Sequence, residues 1–520
     1  METFEWIVAL MFAAAMLSLL ARRLGLPYPS LLAVGGAAIA LLPFNPNWTL
    51  DPQLVLALFV APVLLDAAYD FSLRDLRRNW ITVAGLAVVA VALTTISVAL
   101  VARWLVPDMP WPIAIALGAI VAPPDAAAAT AVMRQVRLPH RIRTILEGES
   151  LVNDASALLI YRLAVSAALA GEIHPATVVP IAMAVIVGSV AVGILLALIM
   201  ARVISLIEDA PTSIIIQFVG TFGVWILADA VGLSGILTIV AFAITAARGA
   251  SRLTTRPIVR ITTNAVWAAV VFMLNALAFV LIGMQLRPIL GRLGSDGLQA
   301  AIVVALAVLL TAVLARFAWV MAYNLFFRAV LPEPTTEDGP GRPTVAGGLV
   351  MSWAGMRGIV TLAAAFALPN TLPDGSPFPY RDLILLCAFA VVLGTLVVQG
   401  LTLRPLIAVL RLKAPDPVAK EVRKGRAEAL RAGLTAIDGD TSIEARLLRK
   451  EFEAAIETSV NPAQSASLDE LPGNEIRRTA LAAARRRANE LRLAGTIGDE
   501  AYRTLESEFD WGELSAGADA

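Results

Sequence analysis

Apolar runs separated by short polar connectors fill this chain from its N-terminus to about residue 410, where the pattern stops. Hydropathy and length place about thirteen membrane-spanning helices, near 4–20, 27–44, 53–70, 80–104, 111–133, 145–170, 176–203, 212–231, 233–247, 264–286, 298–322, 344–369 and 382–410. The pattern predicts an all-α polytopic membrane protein. Beyond Arg411 the chain turns rich in Arg, Glu, Asp and Ala, with helix-like segments near 417–434, 442–458 and 474–493 and a Pro/Ser-containing break at 460–473. The expected division is a transmembrane domain over 1–410 and a helical, mixed-charge cytoplasmic tail over 411–520. The segment 331–343 reads as a polar cytoplasmic connector.

Arginine sets the orientation. One set of alternate loops carries Arg22, Arg23, Arg74, Arg77, Arg78, Arg134, Arg137, Arg141, Arg143, Arg248, Arg252, Arg256 and Arg260, whereas the other holds chiefly Arg287, Arg292 and Arg381. Positive loops stay in the cytoplasm, so the N-terminus is expected outside and the C-terminus inside a cell (plasma) membrane. The opening Met1-Glu2 and the apolar run after it read as a first membrane helix, with no cleavable leader expected.

Composition narrows the classes further. Of 520 residues, 58% are hydrophobic and 16% charged, with mean hydropathy +0.76. Formal net charge is zero, which gives no sign of a nucleic-acid partner. A single cysteine, Cys387, excludes an intrachain disulfide and a cysteine metal cluster. The two histidines, His140 and His174, fall in expected loops and make no zinc or haem site. No nucleophile–base set or phosphate loop points to a membrane enzyme or receptor. No resident cofactor is expected.

Three stretches break the rules for membrane helices. Gly148-Glu149-Ser150-Leu151-Val152-Asn153-Asp154 opens the sixth span with two carboxylates, which are costly in lipid and usually functional. Residues three and four apart share a helical face, so Ser150, Asn153 and Asp154 line up with Glu149 beside Asn153. Such a stripe offers oxygens to a proton or a hard monovalent cation. The fifth span contains Ala122-Pro123-Pro124-Asp125, where double proline removes backbone donors and interrupts the helix. The twelfth contains Ser352-Trp353-Ala354-Gly355-Met356-Arg357-Gly358; its glycines suit a backbone opening or close packing, and Arg357 requires an anion nearby. Rises of ~1.5 Å per residue put Asp154 ~14 Å from Ile145, Asp125 ~12 Å from Met133 and Arg357 ~20 Å from Thr344. Interrupted helices seven spans apart, with ionisable groups at mid-depth, fit inverted repeats of spans 1–6 and 8–13 around a linking span 7.

These residues carry a resemblance. Glu149 to Asp154 is similar to the ion-binding helix of the monovalent cation:proton antiporters of the bacterial NhaP and animal NHE type. Ser352 to Gly358 resembles that family's arginine-bearing crossing helix. Phe272 to Leu286 and Val397 to Thr402 resemble further family stretches, and the likeness covers roughly 1–410. It implies electroneutral exchange of one Na⁺ (or Li⁺, sometimes K⁺) for one H⁺ by a homodimer with an elevator-like motion. Asp154 would alternately hold proton or cation, with Ser150 and Asp125 in the ion site or its support. Asn153 stands where electrogenic relatives have a second aspartate. Glu149 would pair with Arg357. Pro124 replaces a threonine common in the family and leaves only a backbone carbonyl to a cation. A K⁺/H⁺ antiporter is the alternative of the same fold, and a cation channel is disfavoured because no repeated filter loop is present.

Other polar residues in the spans read more blandly. Arg162 lies on a face similar to that of Asp154, and Asp66 and Asp70 suit helix-end solvation as well as an ion funnel. Asp229 and Asn275 suit polar packing better than support of the site. Arg316 is expected to snorkel from a helix end, and Trp48, Trp104 and Trp111 to sit in an interfacial belt.

Overall fold

A computed structural model of the chain describes residues 2–42, 52–69, 71–133, 138–170, 175–207, 209–250, 257–292, 297–330, 343–412, 417–460 and scattered positions between 479 and 512. The expectations for Trp48, Asp70, His174, Arg134, Arg137, Arg252, Arg256, the 331–342 part of the connector and the 461–478 segment lie outside the described residues. The chain forms two compact units, Met1–Ala414 and Pro415–Ala520.

Among its described residues the first unit is mainly helical and contains no strand, only an isolated bridge between Thr371 and Pro377. Among the described residues, eight helices are long and apolar enough to cross a membrane: Phe4–Leu24, Arg74–Leu105, His140–Leu169, Pro180–Ile204, Ala210–Ala230, Ile261–Arg292, Leu298–Val330 and Arg381–Leu410. Four shorter apolar helices, Tyr28–Ala40, Leu56–Tyr69, Trp111–Val121 and Gly235–Arg248, occupy the second, third, fifth and ninth expected stretches. The twelfth is split into Val345–Trp353 and Ile359–Phe366, and the fifth continues after its break as Ala126–Met133. Large apolar side chains on outward faces, such as Phe12 and Val219, are exposed. That distribution suits contact with lipid.

Local chemistry explains several boundaries. Ser72, Asp209 and Thr344 each accept the backbone N–H three residues on, at 3.3, 2.9 and 3.0 Å, and so cap the helices that follow. Proline at the first or second position starts the helices at Tyr28, Trp111 and Ala210, where its missing N–H costs nothing. Two helices widen into π-helical turns at Leu56–Val60 and Gly85–Ala90. The Gly85 carbonyl in the second accepts from the Trp319 indole at 3.1 Å. His140, expected in a loop, instead begins the long helix His140–Ala170 and meets Asp75 at 3.0 Å. Arg141 Nε donates to Asn79 Oδ1 at 3.3 Å beside it, so two polar contacts dock the start of that helix on Leu73–Ala84.

The core is built from alanines and branched aliphatic residues. The helices Trp111–Val121, His140–Ala170, Leu298–Val330, Arg381–Leu410 and the two halves of the split helix pack together around buried Ala114, Leu117, Ile120, Val308 and Leu396. Tyr28–Ala40 lies along Pro257–Met284 so closely that a Cβ on Gly283 would run into the backbone of Ala33 and Ala37. That approach exists only because position 283 has no side chain.

In the second unit, Pro417–Ala436 and Ile443–Val460 pack against one another. Ser442 accepts the Ala445 N–H at 3.1 Å, and Arg449 donates to the Ile437 carbonyl at 3.1 Å, closing the turn between them.

The Gly283 contact yields a first prediction. Gly283→Leu should separate the two helices and destabilise the protein by about 1–3 kcal/mol or more. A lower unfolding temperature of the purified protein in detergent is the expected reading, and an unchanged one would contradict the packing.

Candidate ion-binding site

Both interrupted helices break for reasons their residues supply. After Val121, two prolines in Ala122-Pro123-Pro124-Asp125 lack backbone donors, and the helix resumes only at Ala126. The second break, Ala354 to Gly358, has no proline; its polar groups are drawn to neighbouring elements instead. The two breaks meet. The Asp125 N–H donates to the Met356 carbonyl at 2.6 Å. Gly358 lies against the Asp125 carboxylate so tightly that a Cβ there would overlap it. Its φ of −143° is ordinary extended backbone, so space rather than conformation demands the glycine.

The helix His140–Ala170 passes beside this crossing. Ser150, Asn153 and Asp154 are all buried, with Asn153 fully so. Asn153 Nδ2 donates to the Pro124 carbonyl at 2.9 Å, while its own carbonyl oxygen, Oδ1, is buried and accepts nothing. Asp125 is half-buried and is the charged neighbour that Asp154 senses. Thus the stripe expected from spacing does meet the first break: Asn153 holds it through Pro124, and Asp154 faces the field of Asp125. The Pro124 carbonyl, the one group expected to remain there for a cation, is engaged by Asn153.

The expected Glu149–Arg357 ion pair is not formed. Glu149 is instead gripped in bidentate fashion by Arg316, whose Nη1 reaches Oε1 and whose Nη2 reaches Oε2 at 2.8 Å. Nη2 also donates to the Met351 carbonyl, at 3.1 Å, in the last turn before the second break. Arg316 is 2% exposed and does not snorkel. The helix that carries it runs to Val330, beyond the expected end at 322, which leaves Arg316 ~21 Å from its terminus. An arginine so deep needs a buried anion, and Glu149 supplies it.

Arg357 is satisfied differently. It is fully buried, and its guanidinium donates to the carbonyls of Val121 (3.1 Å), Gly355 and Ala312 (3.3 Å). Val121 is the last residue of its helix and Gly355 lies within the break, so both carbonyls lack helical donors. Arg357 thus acts as a multiple donor to opened backbone.

Arg162 and Asp229 are exposed, and Asn275 and Asp66 are half-buried. Trp104 and Trp111 are exposed, the latter under the Arg103 guanidinium at 4.6 Å.

Two discontinuous helices crossing beside a buried carboxylate on a third define the class: a secondary ion transporter. Comparison with known proteins agrees. Residues 7–409 match the family described as sodium/hydrogen exchanger, transmembrane, and the chain belongs to that family. A sodium, potassium, lithium and rubidium/H⁺ antiporter of Bacillus pumilus is 32% identical over 393 residues, which are 74% of this chain and 58% of the relative's length. A Mycobacterium bovis protein named as an uncharacterized Na⁺/H⁺ exchanger is 30% identical over 536 residues, covering 98% of this chain and 95% of the relative. The solved sodium proton antiporter MjNhaP1 of Methanocaldococcus jannaschii matches with a TM-score of 0.60 at 18% identity, over 79% of this chain and all of its own (100%), a likeness of fold.

The Glu149–Arg316 pair gives a testable energy. Arg316→Met strands a buried carboxylate and should cost about 3–5 kcal/mol. Adding Glu149→Gln should recover part of that loss. Unfolding temperatures of the two single variants and the double variant form the cycle, and strictly additive effects would show that the pair is uncoupled.

Proposed function

We propose that this protein exchanges Na⁺ (or Li⁺) for H⁺ across a cell membrane, one for one and electroneutrally, with cation and proton competing for Asp154. The observation that carries this reading is the buried Asp154 on a helix that meets two crossed helix breaks. Beside it, Asn153 Oδ1 and the Asp125 carboxylate offer oxygen to a hard cation. Ser150, one turn before Asp154 on the same helix, belongs to the same ligand set.

Coupling follows from charge. Three carboxylates, Glu149, Asp125 and Asp154, stand against two guanidinia, Arg316 and Arg357. One proton or one monovalent cation neutralises the surplus, so either loaded form moves without net charge and the empty form carries one. A charged site in hydrocarbon is penalised. The empty carrier therefore stays put and the two ions must take turns. Asn153, neutral where a second aspartate would add a charge, keeps the stoichiometry at one to one.

In this reading the transport domain spans 1–410. It has thirteen crossings arranged as inverted repeats and moves in an elevator-like manner within a homodimer in the plasma membrane. The N-terminus lies outside and the 411–520 tail in the cytoplasm. No cofactor is required beyond the transported ions. K⁺/H⁺ exchange is the second reading, favoured by the Bacillus pumilus relative, whose name includes potassium and rubidium.

Two predictions test this. Asp154→Asn should abolish cation-driven proton flux, read with a pH-sensitive dye in proteoliposomes as Na⁺, Li⁺ or K⁺ is added, while the protein still inserts. Retention of full exchange would sink the assignment. Asn153→Asp should make the flux sensitive to an imposed membrane potential, and a flux that stays indifferent to potential would refute its role in stoichiometry.

A further inference from the structure

We infer that Thr395 is a positioning residue for ion exchange: its hydroxyl fastens the second helix break to an unbroken neighbour and so holds the oxygen site at the crossing in register. The inference rests on the exchange reading above and adds a residue to it.

Inside the break, the Arg357 N–H has lost its helical acceptor and is fully buried, a situation that a folded chain rarely leaves uncorrected. Thr395, on the helix Arg381–Leu410, accepts that N–H at 3.0 Å. Its hydroxyl hydrogen is directed back to its own helix, to the Val391 carbonyl at 2.8 Å. One hydroxyl therefore gives and accepts at once, and Thr395 is itself fully buried, so water cannot stand in for it. This bond ties the backbone of Ala354–Gly358 to a continuous helix.

The consequence runs through adjacent atoms. Residue 356, just before the anchored N–H, accepts the Asp125 N–H; residue 358, just after it, abuts the Asp125 carboxylate. The Arg357 side chain meanwhile holds Val121, where the first break begins. A shift of the 357 N–H moves all three links, and with them Asp125 and the Pro124 carbonyl that Asn153 holds. Thr395 lies outside the proposed ligand set. Its effect must appear in how well the site binds, because the break forms part of the site's wall.

The test compares Thr395→Val, which keeps shape but cannot accept a hydrogen bond, with Thr395→Ser, which can. The full-length protein is assayed in proteoliposomes for half-saturating Na⁺ and maximal rate. The purified protein is assayed for the rise in unfolding temperature that Na⁺ produces. Valine should raise half-saturating Na⁺ roughly tenfold, the scale of an unsatisfied buried donor, with less effect on the maximal rate. Serine should restore the wild-type value. A valine variant with wild-type half-saturation, or a serine variant as impaired as valine, overturns the role. Should valine prevent insertion, Thr395→Cys, whose thiol accepts weakly, is read by the same criteria. Absence of cation-driven flux in the wild type would defeat the exchange reading itself. The positioning role would then be judged on the Na⁺-dependent unfolding temperature, and an unaltered Na⁺ shift in the valine variant would defeat it too.

Discussion

Everything at the centre of this protein follows from one constraint: two helices are opened within a buried region, and each freed backbone group must find a partner there. A helix that stops exposes carbonyls and N–H groups that lipid cannot satisfy. Here the freed groups are taken up reciprocally. Arg357 donates to Val121 of the first break, the Asp125 N–H donates to Met356 of the second, and Asn153 donates to Pro124. The breaks therefore hold each other, and the helix carrying Asp154 is latched to them through its own asparagine. The site is a by-product of that closure, since the groups that complete the backbone also fix where the carboxylates stand.

The two arginines divide the work in a way that their chemistry explains. A guanidinium presents five donors in a rigid plane. Arg316 aims both terminal nitrogens at one carboxylate, a geometry that joins the helices Leu298–Val330 and His140–Ala170 as a fork on a fork. Arg357 spreads its donors over three carbonyls from three segments. Carbonyls carry only partial charge, so Arg357 finds its acceptors without consuming an acid. Glu149 is consumed by Arg316, which leaves Asp125 and Asp154 outside that ion pair.

Much of this was legible in the sequence, for definite reasons. The breaks announced themselves as Pro123-Pro124 and as an arginine between glycines within apolar runs. The stripe from Glu149 to Asp154 followed from helical spacing, which local geometry enforces. The partner of Glu149 was not legible, because Arg316 lies 167 positions away in sequence and no pattern along one chain reports which of two distant arginines reaches a carboxylate. The expected end of its helix at 322 also placed Arg316 near a boundary, whereas the helix continues to Val330 and buries it. Thr395 was invisible for a related reason. A threonine in a membrane helix commonly donates to its own preceding turn, and only the opened segment beside it shows that the same oxygen also accepts a bond.

That difference has a mechanistic bearing. Had Glu149 paired with Arg357, the crossing would be bound by an ion pair whose strength varies with the charge of its surroundings. Instead, the crossing is closed mainly by bonds to neutral carbonyls, and the ion pair lies on an adjacent helix contact. On the proposed reading, the net charge at Asp154 changes with every turnover, as proton or cation arrives and leaves. A closure made of backbone bonds responds weakly to that alternation, whereas the balance of three carboxylates and two guanidinia responds fully. The scaffold can therefore remain intact while its charge switches between neutral and uncompensated, which is the condition that obligatory exchange needs.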